Sequence, residues 1–241
     1  MSTKRTDSNS YTIIFSVVLV VVVGALLAFF ANFTKEDRVK NDQVKAQIDI
    51  LNAIGVDANR ANATQMFAKY IKEQKVIEGD KISDDPNAYL IDVKKQLDNA
   101  KNGIVQRLPL FLAEIDGKSL YILPVRGNGL WDAIWGYIAL NEDLKSINGV
   151  YFDHKGETPG LGANITETFF TEDFKGEKIY DPSGTFKGIE ISKSNGDPNN
   201  MDKLDNQVDA ISGATITGNG VGAMINSGIR SYLPYFETLN K

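Results

Sequence analysis

Three short runs in this chain carry residue types suited to holding a charged, planar group. In Asp209-Ala210-Ile211-Ser212-Gly213-Ala214-Thr215, continuing as Ile216-Thr217-Gly218-Asn219-Gly220, hydroxyl and small residues crowd a turn ahead of a helix-like stretch. A threonine there presents its hydroxyl near a helix N-terminus, where free backbone N–H groups and the helix dipole favour a phosphate. Gly213 and Ala214 are small enough for a phosphate to lie against the backbone, and Ser212 and Thr217 add hydroxyl donors. An ordinary N-cap turn has the same composition, so the run alone does not fix a ligand.

The second run is Arg126-Gly127-Asn128-Gly129-Leu130-Trp131-Asp132. Glycines at a strand end let a planar ring approach the main chain, and Trp131 can stack on it or shield it. The third glycine of a dinucleotide fingerprint is missing. The third run is His154-Lys155-Gly156-Glu157-Thr158-Pro159-Gly160-Leu161-Gly162. Rigid at Pro159 and bare at Gly160 and Gly162, it is suited to fixing a row of loop N–H groups. His154 reads as a structural or surface histidine rather than a base.

Composition narrows the chemistry. The 241 residues include no cysteine and one histidine, which excludes disulfides, thiolate metal sites, Cys-ligated iron–sulfur clusters and multi-His metal centres. No metal ligands are expected on that ground, so any redox chemistry must come from a bound organic cofactor. A net charge of −5 without a basic stripe argues against nucleic acid.

The elements that must position these runs begin with a membrane segment. Tyr11 to Phe33 is 23 residues without a charge. It reaches about 35 Å, enough to cross a hydrocarbon core of roughly 30 Å. Phe29, Phe30 and Phe33 crowd the place where a signal-peptide cleavage site would stand, so an uncleaved anchor is expected. Lys4 and Arg5 precede the span and Lys35, Arg38, Lys40 and Lys45 follow it, so charge counting leaves the orientation open.

Beyond the span, periodicity predicts a helix over residues 34–56 stopped by Gly55 and a second from Ala61 to Gln74. Residues 89–100 fit a strand or a short helix. Leu108–Ile115 and Lys118–Val125, joined by Asp116-Gly117, predict a hairpin. Further strands are expected at Ile134–Leu140, Lys145–Phe152 and Phe186–Ser192, with a short helix at Thr166–Lys175 and a last helix from Asn219 to Leu233. The irregular alternation predicts an α+β class, a mixed sheet with flanking helices.

In this order and spacing the three runs resemble the FMN-binding domain family of two related respiratory complexes. The first run matches that family's flavinylation motif: Asp, two variable residues, Ser or Thr, Gly, Ala, then Thr or Ser. The whole chain is most similar to the C-subunit of the Na⁺-translocating NADH:quinone oxidoreductase. Residues 34–103 fit it better than the shorter G-subunit of the Rnf ferredoxin:NAD oxidoreductase, which stays the alternative of the same chemistry. A membrane-anchored periplasmic binding module with no redox role is the alternative of another class.

The resemblance implies a covalent FMN, a phosphoester on Thr215, made outside the cytoplasm by a Mg²⁺-dependent flavin transferase with FAD as donor. It further implies a cytoplasmic head (1–10), an inner-membrane span (11–33), a helical membrane-proximal region (34–103) and an FMN-binding domain (104–241), the last two periplasmic. Thr158, Gly160 and Leu161 would contact the flavin, Trp131 would lie beside it, and Ser212, Gly213, Ala214, Ile216 and Thr217 would surround its phosphate. Lys193 matches the family's lysine near the flavin, with Ser194 where the pattern has Gly. The implied role is electron relay, from a metal centre in the membrane subunits to a second covalent FMN on the B-subunit flavoprotein. Quinone reduction and Na⁺ pumping would take place elsewhere in the complex.

Overall fold

The computed structural model describes residues 8–194, 196–197, 199 and 201–239; Lys4, Arg5 and most of the expected cytoplasmic head lie outside them. The chain divides into two units, residues 1–43 and 44–241. In the first, helix α1 (Asn9–Phe33) buries none of its residues and is long and apolar enough to cross a membrane. It ends at Thr34, whose hydroxyl donates to the Phe30 carbonyl.

Helix α2 (Lys35–Ala53) carries Ile50, Leu51 and Ala53 into the core of the second unit. It stops where Gly55 takes φ +73° and Val56 N–H returns to the Leu51 carbonyl, a left-handed stop that glycine adopts at little cost. The expected helix from Ala61 to Gln74 is helical only as α3 (Ala63–Tyr70). From Ile71 the backbone is extended, and β1 (Ile71–Glu78) pairs antiparallel with β3 (Arg107–Ile115). Ile71, Val76 and Ile77 favour a pleated surface, and the open edge of β3 supplies the hydrogen bonds that overrule the local helical pattern. With β2 (Lys81–Asp84), these strands make residues 71–84 part of the main sheet, not of a helical stretch. Helix α4 (Val93–Lys101), capped by Asp92 accepting from Lys95 N–H, resolves the ambiguous segment in favour of helix.

The sheet runs β2-β1-β3-β4-β5-β6, entirely antiparallel, with β4 at Lys118–Asn128, β5 at Ala133–Asn141 and β6 at Ile147–His154. The β3–β4 turn falls where the Asp-Gly pair predicts, with φ +51° at Asp116 and +75° at Gly117. Alternate side chains feed two cores. Leu110, Leu123 and Ile138 pack on the face covered by the C-terminal helix, and Phe111, Ile122 and Ala139 on the face covered by α2 and α3. Burial on both faces explains the near-continuous apolar runs of β3 and β4.

Between residues 155 and 214 the described residues hold little regular structure. The expected helix at Thr166–Lys175 is one short turn, α5 (Thr168–Thr171), between 3₁₀ turns. The expected strand Phe186–Ser192 shrinks to β7 (Glu190–Ile191), parallel to β8 (Gln207–Val208); among the described residues, parallel pairing is confined to these two. Helix α6 (Thr215–Leu239) begins four residues before the predicted start, because Gly218 N–H already bonds the Ala214 carbonyl. It also continues through Pro234, its last turns held by buried Tyr232 and Phe236, with the Tyr232 hydroxyl donating to the Pro109 carbonyl.

Candidate functional site

Thr215 is the first residue of α6, and its side chain is exposed. The turn that delivers it needs Gly213, which has φ +72° and where a Cβ would come 2.8 Å from Leu161 Cδ2. That approach seats the Thr158–Gly162 loop against the phosphate-type motif. Ala214 and Thr217 turn inward and are buried, while Ser212 and Ile216 are exposed. Thr217 therefore does not face outward with its neighbours, contrary to an arrangement in which every residue from Ser212 to Thr217 surrounds one group.

Beside Thr215 lies a cavity of about 490 Å³, lined by Gly160, Asn164, Phe169, Lys193, Ser194 and the segment from Ala210 to Gly213. Its size falls within the roughly 300–1,000 Å³ of small-molecule sites. Lys193 and the unpaired N–H groups at the start of α6 supply positive potential on one side. Phe169 and nearby Leu161 supply exposed apolar surface. Asp209 Oδ1 accepts from Gly196 N–H at 2.9 Å, and Ala210 N–H bonds the Ser194 carbonyl, so Ser194 and Gly196 are both held to the motif. A motif aspartate thus positions a wall of the cavity. Sequence patterns do not single out Asn164 or Phe169: Asn164 follows the Gly-rich loop without a chemical signal of its own, and Phe169 reads as core.

The second and third runs meet directly. Trp131 is exposed, and its Nε1–H donates to Thr158 Oγ1 at 3.2 Å. Under that contact sits Glu157, only 4% exposed. Its Oε1 accepts from Trp131 N–H at 2.9 Å and Asp132 N–H at 3.4 Å, and its Oε2 accepts from the Thr217 hydroxyl at 2.6 Å. Burial pushes the Glu157 carboxyl up, but these donors outweigh it and hold it below the usual carboxylate range. A Cβ at Gly129 or Gly162 would come 2.5 Å from a carboxylate oxygen, so both loops need glycine to close on it. His154 has the structural role expected, its Nδ1 accepting from Glu157 N–H at 3.2 Å.

The residues fit an FMN-type group: an exposed hydroxyl at a helix N-terminus, a lysine, a bare turn and apolar walls around one cavity. Independent comparisons point the same way. The family described as FMN-binding domain matches residues 129–230. The C-subunit of the Na⁺-translocating NADH-quinone reductase from Neisseria meningitidis serogroup B is 31% identical, the match covering 98% of this chain and 97% of that protein. Its Haemophilus ducreyi counterpart is 29% identical over 92% of this chain and 90% of its own. The crystal structure of the Parabacteroides distasonis C-subunit superposes with a TM-score of 0.72 at 34% identity, covering 83% of this chain and 94% of that one. Shewanella oneidensis NqrC gives 0.65 at 28% identity, over 81% and 96%. With the three runs gathered at one end of α6 and near-full-length likeness in sequence and fold, this chain belongs to the family of Na⁺-translocating NADH-quinone reductase C-subunits.

Proposed function

We propose that this chain is the electron-relay flavoprotein of a Na⁺-translocating NADH:quinone reductase and that Thr215 carries its FMN through a phosphoester. The observation that carries this reading is the exposed Thr215 at the first position of α6, on a cavity shared with Gly160, Lys193, Ser212 and Gly213. A flavin transferase would join the Thr215 oxygen to the FMN phosphorus as the donor FAD loses AMP. FMN, when bound, supplies reversible electron transfer; the rest is the work of this chain's own residues.

Lys193 and the N-terminus of α6 balance the phosphate charge, the helix terminus contributing about 0.3–1 kcal/mol at an exposed site. Gly213, bare of a Cβ, lets the turn that delivers Thr215 close against Leu161. Trp131, Thr158, Gly160 and Leu161 bound the ring, with Ser212 and Ile216 flanking the tether and Ala214 packed inward beneath it. Thr217 acts from behind, through Glu157. A relay needs no general base, only a cofactor fixed within reach of its partners, and the exposed rim fits that need. The partners are the other subunits, the B-subunit flavoprotein and the membrane metal-centre subunits in particular. Helix α1 anchors the chain in the inner membrane with residues 1–10 cytoplasmic and residues 34–241 periplasmic, where a covalent tether prevents loss of FMN.

Co-production of the full chain with its flavin transferase, followed by a denaturing gel under ultraviolet light, tests the reading. The wild-type band should fluoresce and Thr215→Val should be dark. A dark wild-type band overturns it.

A further inference from the structure

Glu157 joins three segments that are distant in sequence: the 130–132 backbone, its own loop, and the first turn of α6 through Thr217. A neutral side chain could tie these segments together equally well. The carboxylate is instead kept ionised in a buried position, and the groups donating to it are a hydroxyl and backbone amides. Among the described residues no lysine or arginine stands within ion-pair distance of it; the nearby Lys155 pairs with Asp132 at 2.9 Å. The Glu157 charge is therefore fixed and not cancelled by a cation. It lies beneath the Trp131–Thr158 contact and is bonded to the first turn of α6, the helix whose first residue, Thr215, lines the cavity.

We infer that Glu157 is a positioning residue that also sets the redox potential of the flavin site, its buried negative charge opposing electron uptake there. This inference rests on the FMN reading above. The physical ground is that reduction adds negative charge to the bound ring, and a like charge in a poorly solvated wall opposes that more strongly than one in water. Hydrogen-bond donors aimed at the carboxylate soften its field, so Thr217 acts in the opposite sense to Glu157.

The test is the midpoint potential of the flavinylated full-length chain in detergent, by optical redox titration. Glu157→Gln keeps an acceptor for the loop amides and removes the charge. It should favour reduction about tenfold, a one-electron shift of about 59 mV upward. Thr217→Val leaves the charge and removes its closest donor, and should shift the equilibrium about threefold the other way. A flavinylated Glu157→Gln protein with lowered melting temperature and unmoved potential makes Glu157 purely structural and overturns the inference. Should that variant fail to fold or to take up flavin, an unmoved potential in Thr217→Val overturns it alone, and dark bands for both variants beside a fluorescent wild type do the same. A dark wild type removes the FMN reading itself, and the inference falls with it.

Discussion

Glu157 and Glu177 are both buried glutamates, 4% and 0% exposed, yet their surroundings drive them in opposite directions. Glu157 receives backbone amides and a hydroxyl and is held below the usual carboxylate range. Glu177 sits in the 3₁₀-rich segment against β6, with Lys203 Nζ at 3.5 Å as its ion-pair partner. Neither of its oxygens has a further hydrogen-bond partner among the described residues, and burial pushes it up to about 7. Burial alone therefore does not decide whether a carboxylate stays charged; the number of donors aimed at it does. The glycine-rich loops can turn their amides onto Glu157, and the region around Glu177 offers one lysine.

The largest effect should come from breaking the satisfied member. Glu157→Ala strands several buried donors at once and should cost on the order of 3 kcal/mol in urea unfolding. A loss below about 1 kcal/mol would mean that water replaces the carboxylate and that the junction is looser than described.

Glu177 sharpens the contrast through pH. Its folded pKa of about 7 lies above the ordinary value of 4.5, so the folded state keeps a proton that the unfolded state has lost. This contribution favours folding fully below pH 4.5 and is lost as pH rises through 7. Glu177→Gln should remove that slope and stabilise the protein at pH 8 by on the order of 2 kcal/mol. Equal pH profiles for the two proteins would place the titration elsewhere.

Smaller effects separate tether from scaffold. Gly213→Ala must hold φ +72° with a Cβ against Leu161, costing about 1–2 kcal/mol and lowering flavin loading with it. Lys193→Ala is exposed and should change unfolding by less than about 0.5 kcal/mol while weakening retention of free FMN by a Thr215→Val protein. A large stability loss there would make Lys193 part of the scaffold.

What is legible in the sequence follows the range of the interactions. The β3–β4 hairpin can be read because Asp116-Gly117 fixes its turn locally, and Gly55 because a helix stop is a single backbone conformation. The start of α6 is not legible because Thr215, Thr217, Gly218 and Gly220 read as turn. Burial of Ala214, Thr217 and Val221 makes the helix worth starting earlier. Strand β1 is hidden because its partner β3 lies beyond two intervening elements, and local pattern cannot register a distant edge. At the site, Thr215 and the Thr158–Leu161 loop stand out by motif. Glu157 does not, since its role depends on Trp131 and Thr217 arriving from elsewhere in the chain.

The central claim is the bond at Thr215, and peptide mass spectrometry tests it most directly. Trypsin cutting after Lys203 and Arg230 releases a fragment that contains Ser212, Thr215 and Thr217. From full-length protein made with its flavin transferase, that fragment should carry the mass of FMN less one water, and fragmentation should place it on Thr215. An unmodified fragment, or the flavin on Ser212 or Thr217, would contradict the account.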